Sequence, residues 1–396
     1  MTKTDKEGQR KTPILRFKGF TDDWEQRQLR KLAKLITKGT TPQKYDGNIN
    51  FIKVENIEEV SINPKAKILE SEHLGKLKRS ILKENDILFS IAGSLGKVGL
   101  VNSAILPANT NQALAIIRLS ESKDIEYNYI FNYLRSNYIQ HFIRRLPSVG
   151  AQPNLSLKQI NELVIKFPNY CEQQKISNML DRLNNILTLY ERKLKLLSQV
   201  KKYFLDNLFT KKEYPNLRFK GFTDAWKQRK LLKICKKEDN KRIPIKEQER
   251  KEGNTPYFGA NGIQGYIDGY THDGTNILIA EDGANNVKNY PIKLITGKIW
   301  VNNHAHVLNV NTKINNGNFL VGAIKKINFY RYLVGSSRYK LTAESLNQVK
   351  IKIAKQSEQE KIGELLKNIE DLLTSYENKQ QHLTEIKKTL LNTMFI

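Results

Sequence analysis

Apolar residues recur at alternating steps of four and three in two long stretches of this 396-residue chain. In the first, the seam is Ile176, Leu180, Leu183, Leu187, Tyr190, Leu194, Leu197, Phe204 and Leu208, with Lys201 interrupting. In the second it is Ile362, Leu366, Ile369, Leu373, Tyr376, Leu383, Leu390 and Met394, with Gln380 and Lys387 as its polar positions. A spacing of about 3.5 sustained in this way predicts coiled-coil helices. At about 1.5 Å per residue, the stretch from Ile176 to Leu208 would span roughly 50 Å. A lone helix cannot bury such a seam, so each stretch is the natural partner of the other.

The two stretches are copies. Leu155–Phe209 aligns without a gap on Leu341–Phe395 at an offset of 186 (341 − 155), matching Glu172-Gln173 with Glu358-Gln359 and Tyr190-Glu191 with Tyr376-Glu377. A second element also repeats: PILRFKGFTDDWEQRQL from Pro13 returns as PNLRFKGFTDAWKQRKL from Pro215, at an offset of 202 (215 − 13). The chain is therefore leader, variable segment and helix, twice over, which argues for one job done twice. The variable segments, roughly 30–154 and 232–340, are distantly alike. NDILFSIAGSLGKVG (Asn85 to Gly99) parallels TNILIAEDGANNVKN (Thr275 to Asn289), each an apolar strand followed by a glycine-containing loop. TNQALAII (Thr110 to Ile117) parallels NNHAHVLN (Asn302 to Asn309), again an alternating strand. Each variable segment reads as a mixed α/β domain, and the divergence between them is where two specificities would sit.

Charge changes the picture. Lys and Arg outnumber Asp and Glu by 66 to 40, a formal net charge of +26, which points to a polyanion, most often nucleic acid. Cys171 and Cys235 are the only cysteines and form no CxxC, so a reducing cytoplasm fits. No apolar run is long enough for a membrane span, and the charged residues 1–12 predict a disordered tail rather than a secretory signal.

Catalytic signatures are not readable. The sequence has no Pro-Pro, hence no Asn-Pro-Pro-aromatic loop of the kind that holds an exocyclic amine during methyl transfer. Gly93-Ser-Leu-Gly-Lys97 is too short for a nucleotide phosphate loop, although its amides and Lys97 suit a backbone phosphate. His304 and His306 alternate on one strand, but no neighbouring cysteine or acidic ligand in the sequence completes a metal set, so no metal is expected. Glu281 and Asp282 beside Gly283 make an ordinary acidic pair, and no nuclease centre is convincing.

What the segments do supply is the chemistry of nucleic-acid reading: basic groups for phosphates, and amides, hydroxyls and arginines for base edges. The first offers Lys38, Thr40, Thr41, Ser94, Lys97, Asn109, Asn111, Gln112, Arg144, Arg145, Ser148, Gln152 and Asn154. The second offers Tyr257, Asn261, Gln264, Asn285, Asn286, Lys288, Asn302, Asn303, His304, Ser336, Ser337, Arg338 and Lys340. Arg144, Arg145 and Arg338 are expected to face DNA.

Duplicated halves, a heptad helix after each, Glu-Gln-x-x-Ile at each helix start (Glu172, Gln173, Ile176; Glu358, Gln359, Ile362) and the Asp-Ile-Leu-Phe-Ser strand-loop resemble the specificity subunit of a type I restriction–modification enzyme. One departure is Ala354, where the first copy has the family's proline, Pro168. The resemblance implies an α/β (mixed) fold with pseudo-two-fold internal duplication: two target-recognition domains, each reading half of a split double-stranded DNA site, separated by two long helices forming an antiparallel coiled coil that sets the gap. The corresponding division is 1–29 basic tail and first leader; 30–167 first target-recognition domain; 168–212 central helix; 213–353 second leader and second target-recognition domain; 354–396 C-terminal helix. It further implies no catalytic centre and no cofactor in this chain. Two modification subunits would use S-adenosylmethionine to methylate adenine, and two restriction subunits would use ATP and Mg. A self-sufficient modifying or cleaving enzyme would need a motif that is not readable here. A scaffold with adaptor heads would need neither the charge nor the amide-rich loops.

Overall fold

The computed structural model describes residues 12–58, 61–145, 154–287, 289–335 and 339–396. The expectation of disorder over residues 1–12 falls, apart from Thr12, outside that set. The chain divides into two compact units: one holds the described residues up to Glu191 together with Asn378–Ile396, the other holds Arg192–Glu377. Both predicted helices are present, as Tyr170–Leu208 and Gln356–Thr393, and each contributes to both units.

In the first unit a four-stranded antiparallel sheet runs in the order Ala33–Lys38, Leu114–Leu119, Ile87–Ser90, Val98–Leu100. A three-stranded sheet of Ala66–Ile68, Ile49–Ile52 and Ala108–Thr110 accompanies it. Ile87–Ser90 is buried at every position, so it reads as a continuous apolar run rather than an alternation. The second unit repeats the plan: Cys235–Lys237, Ala305–Val310, Thr275–Ala280, Ile292–Thr296 in one sheet, and Gly262–Ile267, Thr255–Gly259, Trp300–Val301 in the other. The two strand pairs matched in sequence thus occupy equivalent sheet positions.

The repeated motifs turn out to be fasteners. In the first unit the leader strand Glu25–Gln28 pairs with Val164–Phe167, and in the second Lys227–Lys230 pairs with Lys350–Ile353. Arg16 of the leader forks onto Glu172 with two bonds of 2.8 Å. Arg218 forks onto Glu358 at 2.7 and 2.8 Å. Both glutamates are buried, so each ion pair is a geometric lock, costly to break from one side. The glutamines act alike. Gln173 accepts from the Glu126 amide and donates to the Pro168 carbonyl. Gln359 accepts from the Asn316 amide and donates to the Ala354 carbonyl. Since the acceptor is a backbone carbonyl, alanine serves at 354 as proline does at 168.

Within each unit the helical parts run antiparallel. In the first, Ile176 and Leu180 share a core with Met394, Phe395 and Leu390, while Ile186 and Ile386 line one groove. In the second, Lys193 lies 5.3 Å from the Tyr376 ring, Lys201 pairs with Glu370, and Leu205 and Leu366 line one cavity. Seam burial is deepest beside each sheet domain. Ile176, Leu180, Leu183 and Leu187 are buried, as are Ile362, Leu366, Ile369 and Leu373, whereas Tyr190, Leu197, Tyr376 and Leu383 are only partly so. No helix among the described residues is long and apolar enough to cross a membrane.

Candidate nucleic-acid interface

Strand register decides which loops meet. In the first unit Lys38 pairs with Ala115, Ser90 with Leu114 and Phe89 with Val98. The segments leaving Lys38, joining Ser90 to Val98 and entering Leu114 therefore emerge at one end of the sheet. In the second unit Lys237 pairs with Leu308, Ala280 with Ala305 and Ile279 with Ile292. Residues 238–242, 281–287, 289–291 and 302–304 accordingly gather at the equivalent end. Among the described residues, most of the sequence-predicted readers lie on these loops.

In the first unit the Thr41 hydroxyl is bonded to the Gln112 side chain, and Arg79 donates to the Thr40 hydroxyl at 3.2 Å. Asn111 accepts from the Ala113 amide at 3.2 Å, which shapes the turn beside Gln112. Lys38, Thr41 and Gln112 are exposed. Ser94 and Lys97 are exposed on the neighbouring loop, whose Gly96 has φ 76° and packs against the helix Asn137–Arg145. A Cβ at Gly96 would sit 2.6 Å from the tip of the Ile143 side chain, which can move aside, so it is the positive backbone angle that favours glycine. Arg144 and Arg145 end the helix Asn137–Arg145 with exposed side chains, and Asn154 is exposed. Ser148 and Gln152 lie outside the described residues, as do Lys288, Ser336, Ser337 and Arg338.

In the second unit Asn261 donates to the Gly283 carbonyl at 2.9 Å and accepts from the Asn285 amide at 3.0 Å. It therefore clamps the hairpin Thr255–Ile267 to the 281–287 segment and leaves the Asn285 side chain exposed. Asn286 accepts from the Asn289 amide at 2.8 Å. Gln264 and Asn303 are exposed, and His304 is half-buried beside Asp282. Lys340 is exposed but pairs with Glu281 at 3.0 Å.

Three expected readers are buried instead. Tyr257 is 1% exposed; its hydroxyl accepts from the Ile245 amide, and its ring lies 4.0 Å from the Arg250 guanidinium. It packs the hairpin rather than contacting a ligand. Asn109 is fully buried, donating to Leu77 O at 2.9 Å and Ser80 Oγ at 3.1 Å and bonding His73. Asn302 is 5% exposed and accepts from the His304 amide at 2.9 Å, holding that histidine in place. Residue type suggested readers at these positions, but tertiary burial assigned them to scaffolding. Two arginines were missed, Arg79 and Arg242. Arg79 holds Thr40, and Arg242 holds Glu281 and the Ala305 carbonyl as well as the nearby Asp239 carbonyl; the distant contacts leave no mark in local spacing.

The fold also supplies the acidic neighbours that the sequence did not place beside His306. Its Nδ1 lies 2.7 Å from Asp239 and 3.6 Å from Glu281, and its Nε2 lies 2.7 Å from the Leu341 carbonyl. These three side chains are close enough to share a cation. Positive charge is already present, however. Arg242 donates to Glu281 at 2.6 Å and to the Ala305 carbonyl at 2.9 Å, and Lys340 pairs with Glu281. Burial pushes the Asp239 carboxyl up, but His306, the Val307 amide and Arg242 together hold it below the usual carboxylate range. Burial likewise opposes ionisation of Glu281, and Arg242, Lys340 and His306 outweigh it. The cluster fastens the 238–242 and 281–282 loops to the sheet end.

A profile of the type I restriction modification DNA specificity domain matches the chain twice, over residues 21–199 and 223–387. The chain belongs to that family. It is a DNA-recognition, non-catalytic member of the type I restriction–modification machinery. The putative MjaX specificity subunit of Methanocaldococcus jannaschii is 24% identical over 416 residues, covering 94% of this chain and 93% of that one. The putative specificity subunit S.HindORF215P of Haemophilus influenzae is 44% identical over 146 residues, which is 37% of each chain. The crystal structure of the S subunit of a type I system from M. genitalium superposes with a TM-score of 0.71 at 18% identity, covering 97% of this chain and 99% of that one. That likeness establishes the specificity-subunit fold.

Proposed function

We propose that each unit reads one half of a split duplex-DNA site with the loops at its sheet end, and that the paired helices set the gap between the half-sites. The observation that carries this reading is the matching sheet ends: equivalent strand order gathers exposed amide, hydroxyl and basic groups there in both units, against a net charge of +26. Residues 30–167 and 213–353 would be the two target-recognition domains, with 168–212 and 354–396 as the ruler. Two modification subunits, bringing S-adenosylmethionine for adenine methylation, and two restriction subunits, bringing ATP- and Mg-dependent cleavage, would act in the cytoplasm at the site this chain selects. Apolar side chains left exposed on the helices, Ile186 and Leu189 in the first unit and Leu196 and Tyr203 in the second, suit protein partners. The test is a genome-wide map of methylated adenines in cells with and without the chain. A bipartite motif that disappears with the chain is the expected result; an unchanged methylation map overturns the reading.

A further inference from the structure

The second unit contains a cavity of about 430 Å³, and the equivalent position in the first unit holds the packed rings of Tyr133 and Tyr138. The equivalence rests on matched contacts. Trp24, Tyr129 and Phe395 pack together in the first unit, as Trp226, Phe319 and Phe209 do in the second. Tyr129 and Phe319 are each the third residue of a nine-residue helix, Tyr127–Arg135 and Gly317–Lys325. One turn further on stand Tyr133 and Ala323. In the first unit the Tyr133 hydroxyl donates to the Ile396 carbonyl at 2.6 Å, its ring meets Tyr138, and Lys166 lies over Tyr138 at 5.3 Å. In the second unit Ala323 and Asn328 leave that space open, with Phe209, Trp226 and Tyr332 among its walls.

The opening is basic. Lys211, Lys326, Arg331, Lys350 and Lys352 line it, and no Asp or Glu among the described residues does. Lys326 is held by Asp206 at 2.6 Å. Lys211, Arg331, Lys350 and Lys352 have no ion-pair partner among the described residues. Lys352 matches Lys166, whereas Lys350 stands where the first copy has Val164. Four uncompensated cations converging on one concavity, beside the amide of Gln228, repel one another and favour an anion that neutralises several at once.

We propose that this cavity binds a phosphate group, held chiefly by Lys350, Lys352 and Arg331. The group belongs either to the backbone of bound DNA or to a free phosphate-bearing molecule. Binding of the free group does not depend on the proposed reading of half-sites, so the two can fail separately.

Pyrophosphate is the probe, titrated calorimetrically into the full chain at low salt. Saturable binding is expected, weakened at least about tenfold in a Lys350→Gln, Lys352→Gln double variant and in Ala323→Tyr, which copies the plug of the first unit. Lys166→Gln serves as the control and should bind as wild type. If the phosphate is DNA backbone, pyrophosphate competes with duplex and the double variant lowers the salt slope of duplex binding by up to about 0.9 per lost contact. If it is free, duplex binding is unchanged while pyrophosphate binding falls. Either result supports the site. Pyrophosphate binding that is absent, or equal in wild type and the folded double variant, overturns it.

Discussion

The two units share a sheet, a leader strand and a helix lock, yet they differ at the sheet end. The first presents exposed Thr41 and Gln112 bonded to each other, a small neutral surface flanked by Lys38 and Lys97. The second presents a charged network in which Asp239, Arg242, Glu281, His306 and Lys340 hold the loops while Asp282 orients His304. Fasteners repeat because both units must join a leader to a helix in the same way. On the proposed reading, loops diverge because hydroxyl, amide and imidazole groups suit different base edges. The comparison separates what builds a recognition unit from what tunes it.

The largest expected effect breaks the shared part. Arg16→Ala strands the buried Glu172, and Arg218→Ala strands Glu358; losing one partner of a buried pair costs about 3–5 kcal/mol. The two should not be equal. Trp226 Nε1 donates to Glu358 at 3.1 Å, whereas the buried Trp24 Nε1 has no hydrogen-bond partner among the described residues. Glu358 therefore keeps a donor when its arginine is lost, and Glu172 has no matching indole bond. Chemical denaturation of each variant is expected to show Arg16→Ala as the more damaging; equal losses would mean that the indole bond contributes nothing.

The next effect sharpens the divergent part. Gln112→Ala and His304→Ala should each relax one base position by about 1–3 kcal/mol, the first in one half-site and the second in the other. Methylated-motif sequencing in cells carrying each variant reads this directly, and relaxation of both half-sites by one variant would show that the units do not read independently. A smaller effect is expected for Arg144→Ala and Arg145→Ala. As phosphate contacts they should weaken all sequences alike and lower the salt slope of duplex binding by about 0.9 each. An unchanged slope would assign them to folding or to a protein partner.

Periodicity and repetition made the framework legible. The heptad seams, the strand pairs and the matched Glu-Gln starts all survive as local patterns, because a helix or strand writes its buried face at fixed spacing. What the Glu-Gln pairs hold was not legible, since Arg16 and Glu172 lie 156 residues apart. Nor could side-chain chemistry alone distinguish readers from scaffolding. Tyr257 and Asn109 carry reader-like groups, but burial spends them on backbone and neighbouring side chains. His306 looked short of acidic partners because Asp239 is 67 residues away. Each of these assignments depends on a long-range contact, and none leaves a trace in local spacing.

The smallest expected effect tests a feature of the first unit. Asp181 sits half-buried on the long helix, and burial together with the neighbouring Glu126 charge pushes its carboxyl up to about 6. Glu126 itself caps the helix Tyr127–Arg135 and accepts from the Ser177 hydroxyl, so it is fixed in place. A raised native pKa means that, between the ordinary 3.8 and about 6, the folded chain holds a proton that the unfolded chain has released. The stabilisation is therefore complete at lower pH and is lost as pH rises through about 6. A shift of this size sets an upper bound of roughly 3 kcal/mol, and partial exposure reduces it to about 1 kcal/mol. Asp181→Asn cannot ionise, so its stability relative to wild type should be near zero at pH 4 and rise to about 1 kcal/mol in its favour above pH 7. Denaturation of both proteins across that range measures the difference. A difference that does not change with pH would mean that Asp181 is as well solvated in the folded chain as in the unfolded one.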